Sequence, residues 1–265
     1  MIIIGEKLNS AIPSVRQLII DRDTAGIHEL AQRQAAAGAD FLDINTAQSE
    51  ELPSMEWLVN TVQEVTEVPL CLDSTSAAAI KKGLDNIKGD KSKVLINSIS
   101  MEKRRIEEML PLVLEHNCAV IGLTTDDNGI PKTVEDRLRL TEQLIEILSK
   151  NNYDLSRLYI DPLVLPLAVA HDHALMFFKC VSEIKRLFNV KTVSGLSNIS
   201  FNMPRRKIIN RYFLSIAAAM GMDAAILDPL DQKIMTALTT TDLLLGHDRF
   251  GRKYLKAHRT EALVD

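Results

Sequence analysis

The sequence predicts an α/β fold, a single (β/α)8 TIM barrel, and three observations predict it. Short apolar runs recur eight times along the 265 residues. Each run is followed by a polar Asp/Asn/Ser/Gly step and then by a longer stretch with helical spacing. That alternation makes right-handed βαβ units on a parallel sheet, and eight units in about 250 residues is the barrel count. A doubly wound sheet would leave about two or three units over. It would also want a G-x-G-x-x-G turn after the first strand, which is absent.

In chain order, strands are predicted at 2–4, 41–44, 70–72, 94–96, 119–123, 158–160, 192–193 and 224–227. The runs are continuously apolar, as strands covered on both faces are. Three helical stripes stand out between them. Val134, Leu138, Ile145 and Leu148 mark the first, opened by Thr133-x-x-Asp136 at capping-box spacing. Ala174, Phe177, Phe178, Val181, Ile184 and Phe188 mark the second, and Ile209, Tyr212, Phe213, Ile216 and Met220 the third. All three are expected to pack on the sheet. No Pro/Gly/Ser-rich linker divides the chain, so one domain over 1–265 is expected. It ends in a basic segment at 247–265, where Arg249, Arg252, Lys253, Lys256 and Arg259 read as a solvated face.

Composition narrows the function. Apolar residues are 46% and charged residues 25%, ordinary for a soluble chain. The formal net charge of −4 lacks the basic excess of a nucleic-acid binder, so no nucleic-acid partner is expected. Cys71, Cys118 and Cys180 are odd in number, form no C-x-x-C pair and lie in apolar stretches. They are expected to be buried thiols. MIIIGEKLN is too short for a signal peptide, and no segment approaches the roughly 18 apolar residues of a membrane span. A cytoplasmic protein with no membrane partner is expected. His171 and His173 lie two apart on a predicted helix and point away from each other. Asp126-Asp127-Asn128-Gly129 lacks the glutamate of a calcium loop and reads as a turn. No resident metal is expected, and no G-x-S-x-G elbow suggests an esterase.

A barrel carries its functional groups at the carboxyl ends of its strands. There stand Glu6 and Asn9, Asp43 and Asn45, Asp73, Asn97, Thr124, Asp161, Asn198 and Asp228. Any one of them suits a turn, but together they would ring one cavity. A carboxylate accepts two hydrogen bonds in one plane, and a carboxamide both donates and accepts. Those are the complements of a flat heterocycle with an amino group beside a ring N–H, such as a pterin. Phosphate would call for a Gly-rich cradle or clustered cations. Only Lys7, Arg205 and Arg206 stand near.

The stretches GEKLN, LDIN, LCLDS, LINS, IGLT, YIDPLVLP and GLSN lie between Gly5 and Asn198, within a match that runs from Ile2 to about Leu245. As a set they resemble the methyltetrahydrofolate:corrinoid protein methyltransferases. These are pterin-binding barrels related to dihydropteroate synthase and to the folate module of cobalamin-dependent methionine synthase. The resemblance implies exchange of a methyl group between nitrogen 5 of tetrahydrofolate and the cobalt of a corrinoid. It implies folate as substrate, a corrinoid protein as partner, and a homodimer. Residue by residue, it implies pterin contacts from Asp73, Asn97 and Asp161, a further site acid at Glu6, and Arg206 lining the site. Asn198 in GLSN matches the family asparagine that bonds nitrogen 5, the catalytic position. No D-x-H-x-x-G cobalamin-ligand motif is present, so the corrinoid is expected on a separate protein. The sequence departs from the pattern at Phe201, where acetogenic members tend to have glutamine. Two other readings stay open. Dihydropteroate synthesis would need a basic pyrophosphate site where Asp228-Pro229-Leu230-Asp231 is acidic. A non-catalytic folate-binding or corrinoid-docking module would have no use for Asn198.

Overall fold

A computed structural model describes residues 1–264. Eight parallel strands form one sheet: β1 (Ile2–Asn9), β2 (Phe41–Asn45), β3 (Leu70–Asp73), β4 (Leu95–Ser100), β5 (Ala119–Leu123), β6 (Leu158–Asp161), β7 (Lys191–Thr192) and β8 (Ala224–Leu227). Neighbours run in the order β7-β6-β5-β4-β3-β2-β1-β8. The ring closes between its two ends through a parallel bridge, Gly195 to Ile226, and a bond from the Ile226 N–H to the Ser194 carbonyl at 2.8 Å. The predicted eight strands are all present. β1 and β4 run farther than expected, so Glu6, Asn9 and Asn97 lie inside their strands rather than after them.

Helices α1 (Pro13–Ile20) and α2 (Thr24–Ala36) follow β1. Single helices then follow each strand: α3 (Glu51–Val62), α4 (Ala77–Asp85), α5 (Lys103–His116), α6 (Val134–Lys150), α7 (His173–Phe188), α8 (Arg206–Ala219) and α9 (Gln232–Leu244). A last helix, α10 (Arg252–Arg259), carries the exposed basic segment. Side-chain caps start several of them. Thr133 accepts from the Asp136 N–H as its spacing predicts, and Asp231 accepts from the Lys233 and Ile234 N–H groups. The Asp126 segment is a tight turn closed by the Gly129 N–H on the Asp126 carbonyl at 2.8 Å. Among the described residues no helix is long and apolar enough to cross a membrane.

The core has two layers. Ile4, Cys71, Leu95, Ile121, Tyr159, Val193 and Ala224 fill the barrel interior, and a larger set packs between sheet and helices. Gly122 belongs to the outer layer, where a Cβ would collide with Leu144 of α6. All three cysteines are free and buried.

Two helical stripes differ from expectation. On α6 the buried face is Arg137, Leu140, Thr141, Leu144 and Leu148, while Val134, Leu138 and Ile145 are only partly covered. A charged and a hydroxyl residue in the inward row hid its period. On α8 the buried face is Phe213, Leu214, Ala217 and Ala218. Tyr212 is 69% exposed, Ile216 45% and Met220 40%, so three of the third stripe's five residues face outward, while Phe213 is buried and Ile209 packs partly buried against the core. That helix has two apolar faces, and a hydrophobic period cannot say which one meets the sheet.

Candidate active site

Side chains alternate along a strand, so the interior layer fixes which residues at the carboxyl ends point inward. Two residues beyond each interior apolar position come Glu6 on β1, Asp73 on β3, Asn97 on β4 and Asp161 on β6. On β2, Asp43 and Asn45 follow the partly buried Phe41 on the same parity. Asp228 follows Ile226 just past β8. Register sets them side by side, with Asn45 opposite Asp73 and Asp73 opposite Asn97. Three expected members fall outside this ring, Asn198 on the turn after β7 among them. Thr124 falls on the outward parity of β5 and is buried with its hydroxyl unpartnered, and Asn9 caps its own turn by accepting the Ala11 N–H at 2.8 Å.

The acids are crowded, and burial governs their protons. Asp43 is 2% exposed and one of its oxygens has no partner. Burial, then the neighbouring Asp73 and Glu6, push its carboxyl well above the usual carboxylate range. Asp73 is pushed up to about 6 by burial, against the bond from the Asn45 amide at 2.8 Å and the nearby Arg105. Asp161 is pushed up to about 7 by burial. The Leu163 N–H, 2.7 Å from its Oδ1, and the Arg137 charge oppose that shift. Burial, aided by Asp228, raises Glu6 to about 7 against Lys7 and Arg206.

Asn198 stands apart from the buried acids. It is exposed on the 3-10 turn Leu196–Ser200 that follows β7, and a Cβ at Gly195 would lie 3.1 Å from its Nδ2. Arg206, the first residue of α8, braces this turn from both sides of Asn198. Its Nη2 donates to the Ser197 carbonyl at 2.7 Å and its Nε to the Ser200 Oγ at 3.1 Å. Glu6 meets the same turn through the Ser197 side chain. Phe201 is half exposed, with the Arg206 guanidinium 5.8 Å from its ring centre.

Two cavities lie at this end of the barrel, and neither is lined by Asp43, Asp73, Asn97 or Asp161. One of about 720 Å³ lies over β3 to β5 and is lined by Thr75, Ser98, Ser100, Arg105 and Leu123. The other, about 350 Å³, lies over β1, β8 and the Asn198 turn and is lined by Glu6, Ser197, Arg206, Asn210 and Asp228. Its cations are largely matched, Lys7 to Asp228 at 3.1 Å and Lys207 to Asp231 at 3.0 Å. Among the described residues no group of three or more His, Cys, Asp or Glu side chains is set to hold a metal ion. Acids and carboxamides set side by side suit the hydrogen-bonding edge of a flat heterocycle.

The model of the family described as pterin binding enzyme matches residues 6–228. The chain belongs to that family. It is 40% identical to the methylcorrinoid:tetrahydrofolate methyltransferase of Eubacterium limosum, over 98% of this chain and 96% of that protein. It is 30% identical to the methionine synthase of Mycobacterium leprae over 242 residues, but spans only 20% of that protein's length. A Yersinia pestis dihydropteroate synthase structure aligns with TM-score 0.67 over 92% of this chain and 94% of that one. At 20% identity that likeness shows the barrel fold alone.

Among the ring members, Asp43 and Asn45 carry the most that the sequence reading left unassigned. Their signal was present, since LDIN places two polar residues on the inward parity of one strand. Arg105 and Arg137 gave no signal at all, because they sit on helices.

Proposed function

We propose that this chain is a methyltransferase that moves a methyl group between a corrinoid carried by a separate protein and nitrogen 5 of tetrahydrofolate, in the direction of folate. The observation that carries the reading is its 40% identity, nearly end to end, to the E. limosum protein, whose name states that reaction. The inward ring supports it. Asp73, Asn97 and Asp161 would bind the amino, ring N–H and carbonyl edge of the pterin, with Glu6 as a further acid. Asn198 would be the catalytic group. Its carboxamide oxygen accepts from nitrogen 5 as that atom gains the methyl group and positive charge, and it does so without titrating. Its exposed position leaves room for a large partner to bring the corrinoid in line, and Arg206 holds its turn in place.

A dihydropteroate synthase reading finds less support, because Asp228 and Asp231 already neutralise the lysines that could take a pyrophosphate. The outward stripe on α8 supports a homodimer, and buried free thiols fit a reducing cytoplasm. The deciding experiment mixes the protein anaerobically with methylcobalamin and tetrahydrofolate and follows the corrinoid spectrum. Demethylation that depends on folate is expected. No folate-dependent demethylation, with either free or protein-bound methylcorrinoid, would move the chain to a non-catalytic binding module.

A further inference from the structure

Two arginines are buried with backbone carbonyls, not carboxylates, as their hydrogen-bond partners. Arg137 on α6 is 1% exposed, and its guanidinium donates to the carbonyls of Pro131 at 3.1 Å, Leu163 at 2.9 Å and Pro162. An arginine cannot shed its proton, so enclosing one is costly unless its donors are satisfied and its charge is matched, here by three carbonyls and, without a direct hydrogen bond, by the Asp161 carboxylate. What Arg137 holds is the segment that directly follows Asp161. Leu163 there takes φ +63°, a left-handed conformation uncommon for a bulky residue. Its carbonyl is held by Arg137 and its N–H donates to the Asp161 carboxylate at 2.7 Å. The one residue is therefore pinned from both ends, and the direction of the carboxylate is fixed with it. Arg105 on α5 repeats the device two strands away. It is 9% exposed and donates to the carbonyls of Ser74 at 3.1 Å, Ser98 at 2.6 Å and Thr75, next to Asp73 and Asn97.

We propose that Arg137 is a positioning residue for Asp161, and Arg105 its counterpart for Asp73 and Asn97. Each guanidinium grips the backbone that aims a pterin-binding side chain. The inference rests on reading those three side chains as the folate contacts.

The test is a double-mutant cycle on tetrahydrofolate affinity, measured by calorimetric titration of the intact protein. Arg137→Met keeps the length of the side chain and removes its donors. It is expected to raise the folate Kd about ten- to hundredfold, the scale of a misplaced hydrogen bond to a charged group. In an Asp161→Ala background the same change should add less than about threefold, because the carboxylate it aims is gone. Arg137→Lys, which keeps the charge and a donor, should recover part of the lost affinity. A purely structural arginine would lower the unfolding temperature and weaken folate by the same factor in both backgrounds. That additive result overturns the proposal, as does an unchanged Kd. Should Arg137→Met not fold, the cycle is run with Arg137→Lys. If neither folds, Arg137 supports the whole barrel rather than Asp161, and the proposal falls. A wild-type protein that does not bind tetrahydrofolate brings down the functional reading as well, whereas an additive cycle in a folate-binding protein brings down only the arginine.

Discussion

Asn198 and Asp161 differ in exposure, and the difference separates their expected phenotypes. Asn198 is exposed on its turn, whereas Asp161 is buried. Asn198→Ala should lower methyl transfer about a hundredfold, the cost of one donor or acceptor aimed at developing charge. Folate affinity should change little, and wild-type turnover would remove Asn198 from the mechanism. Asp161→Ala should act the other way and weaken folate binding, since its carboxylate lies in the enclosed part of the ring. Asp161 also gives a pH test. Its folded pKa of about 7 stands above the ordinary 3.8, so the folded protein holds this proton more tightly than the unfolded chain. The stability that follows is complete below about pH 4 and is lost as the pH rises to about 7, by an amount on the order of a few kcal/mol. Unfolding temperatures of wild type and Asp161→Asn across pH 4–8 check this. The ligand-free wild type should fall relative to the variant over that window, and parallel curves would contradict the assignment.

At the scale of single elements, α8 is the informative helix. Ile208, Tyr212, Ile216 and Met220 recur every four residues along its outer side, exposed by between 38% and 69%. A row of that kind is an unusual surface for a monomer and fits a second copy of the chain. Tyr212→Glu is expected to convert a dimer into a monomer in sedimentation or light scattering. A wild type already monomeric at micromolar concentration would discard this face as the interface. The α6 helix teaches a different lesson. Its inward row includes Arg137 and Thr141, so a purely apolar count drifts onto the flanking positions Val134, Leu138 and Ile145. A residue buried to hold a neighbouring loop breaks the pattern that would otherwise reveal its helix.

The whole molecule is a ring with one thin seam. Strand β7 has two residues, and beyond it closure depends on the Gly195–Ile226 bridge, immediately before the turn that bears Asn198. Short ladders with few backbone bonds open most readily. Amide hydrogen exchange should therefore be faster over 192–198 than over β4, and tetrahydrofolate should slow it. Equal protection of both regions would mean that the seam is as firm as the rest of the barrel. The sequence by itself determined the eight strand–helix units, the polar ends of the strands and the heterocycle they suit. Those follow from local periodicity and from residue chemistry, both carried by neighbours in the chain. Only the tertiary structure decided which acids are pushed above their ordinary range, which face of α8 is left open, and why an arginine lies inside α6. The Asp43 carboxyl is pushed upward by burial first and then by Asp73 and Glu6, which converge on it from other strands, and Arg137 is buried because the carbonyls after Asp161 come down to meet it. Dielectric burial and charge coupling are set by residues remote in sequence, and no periodicity records them.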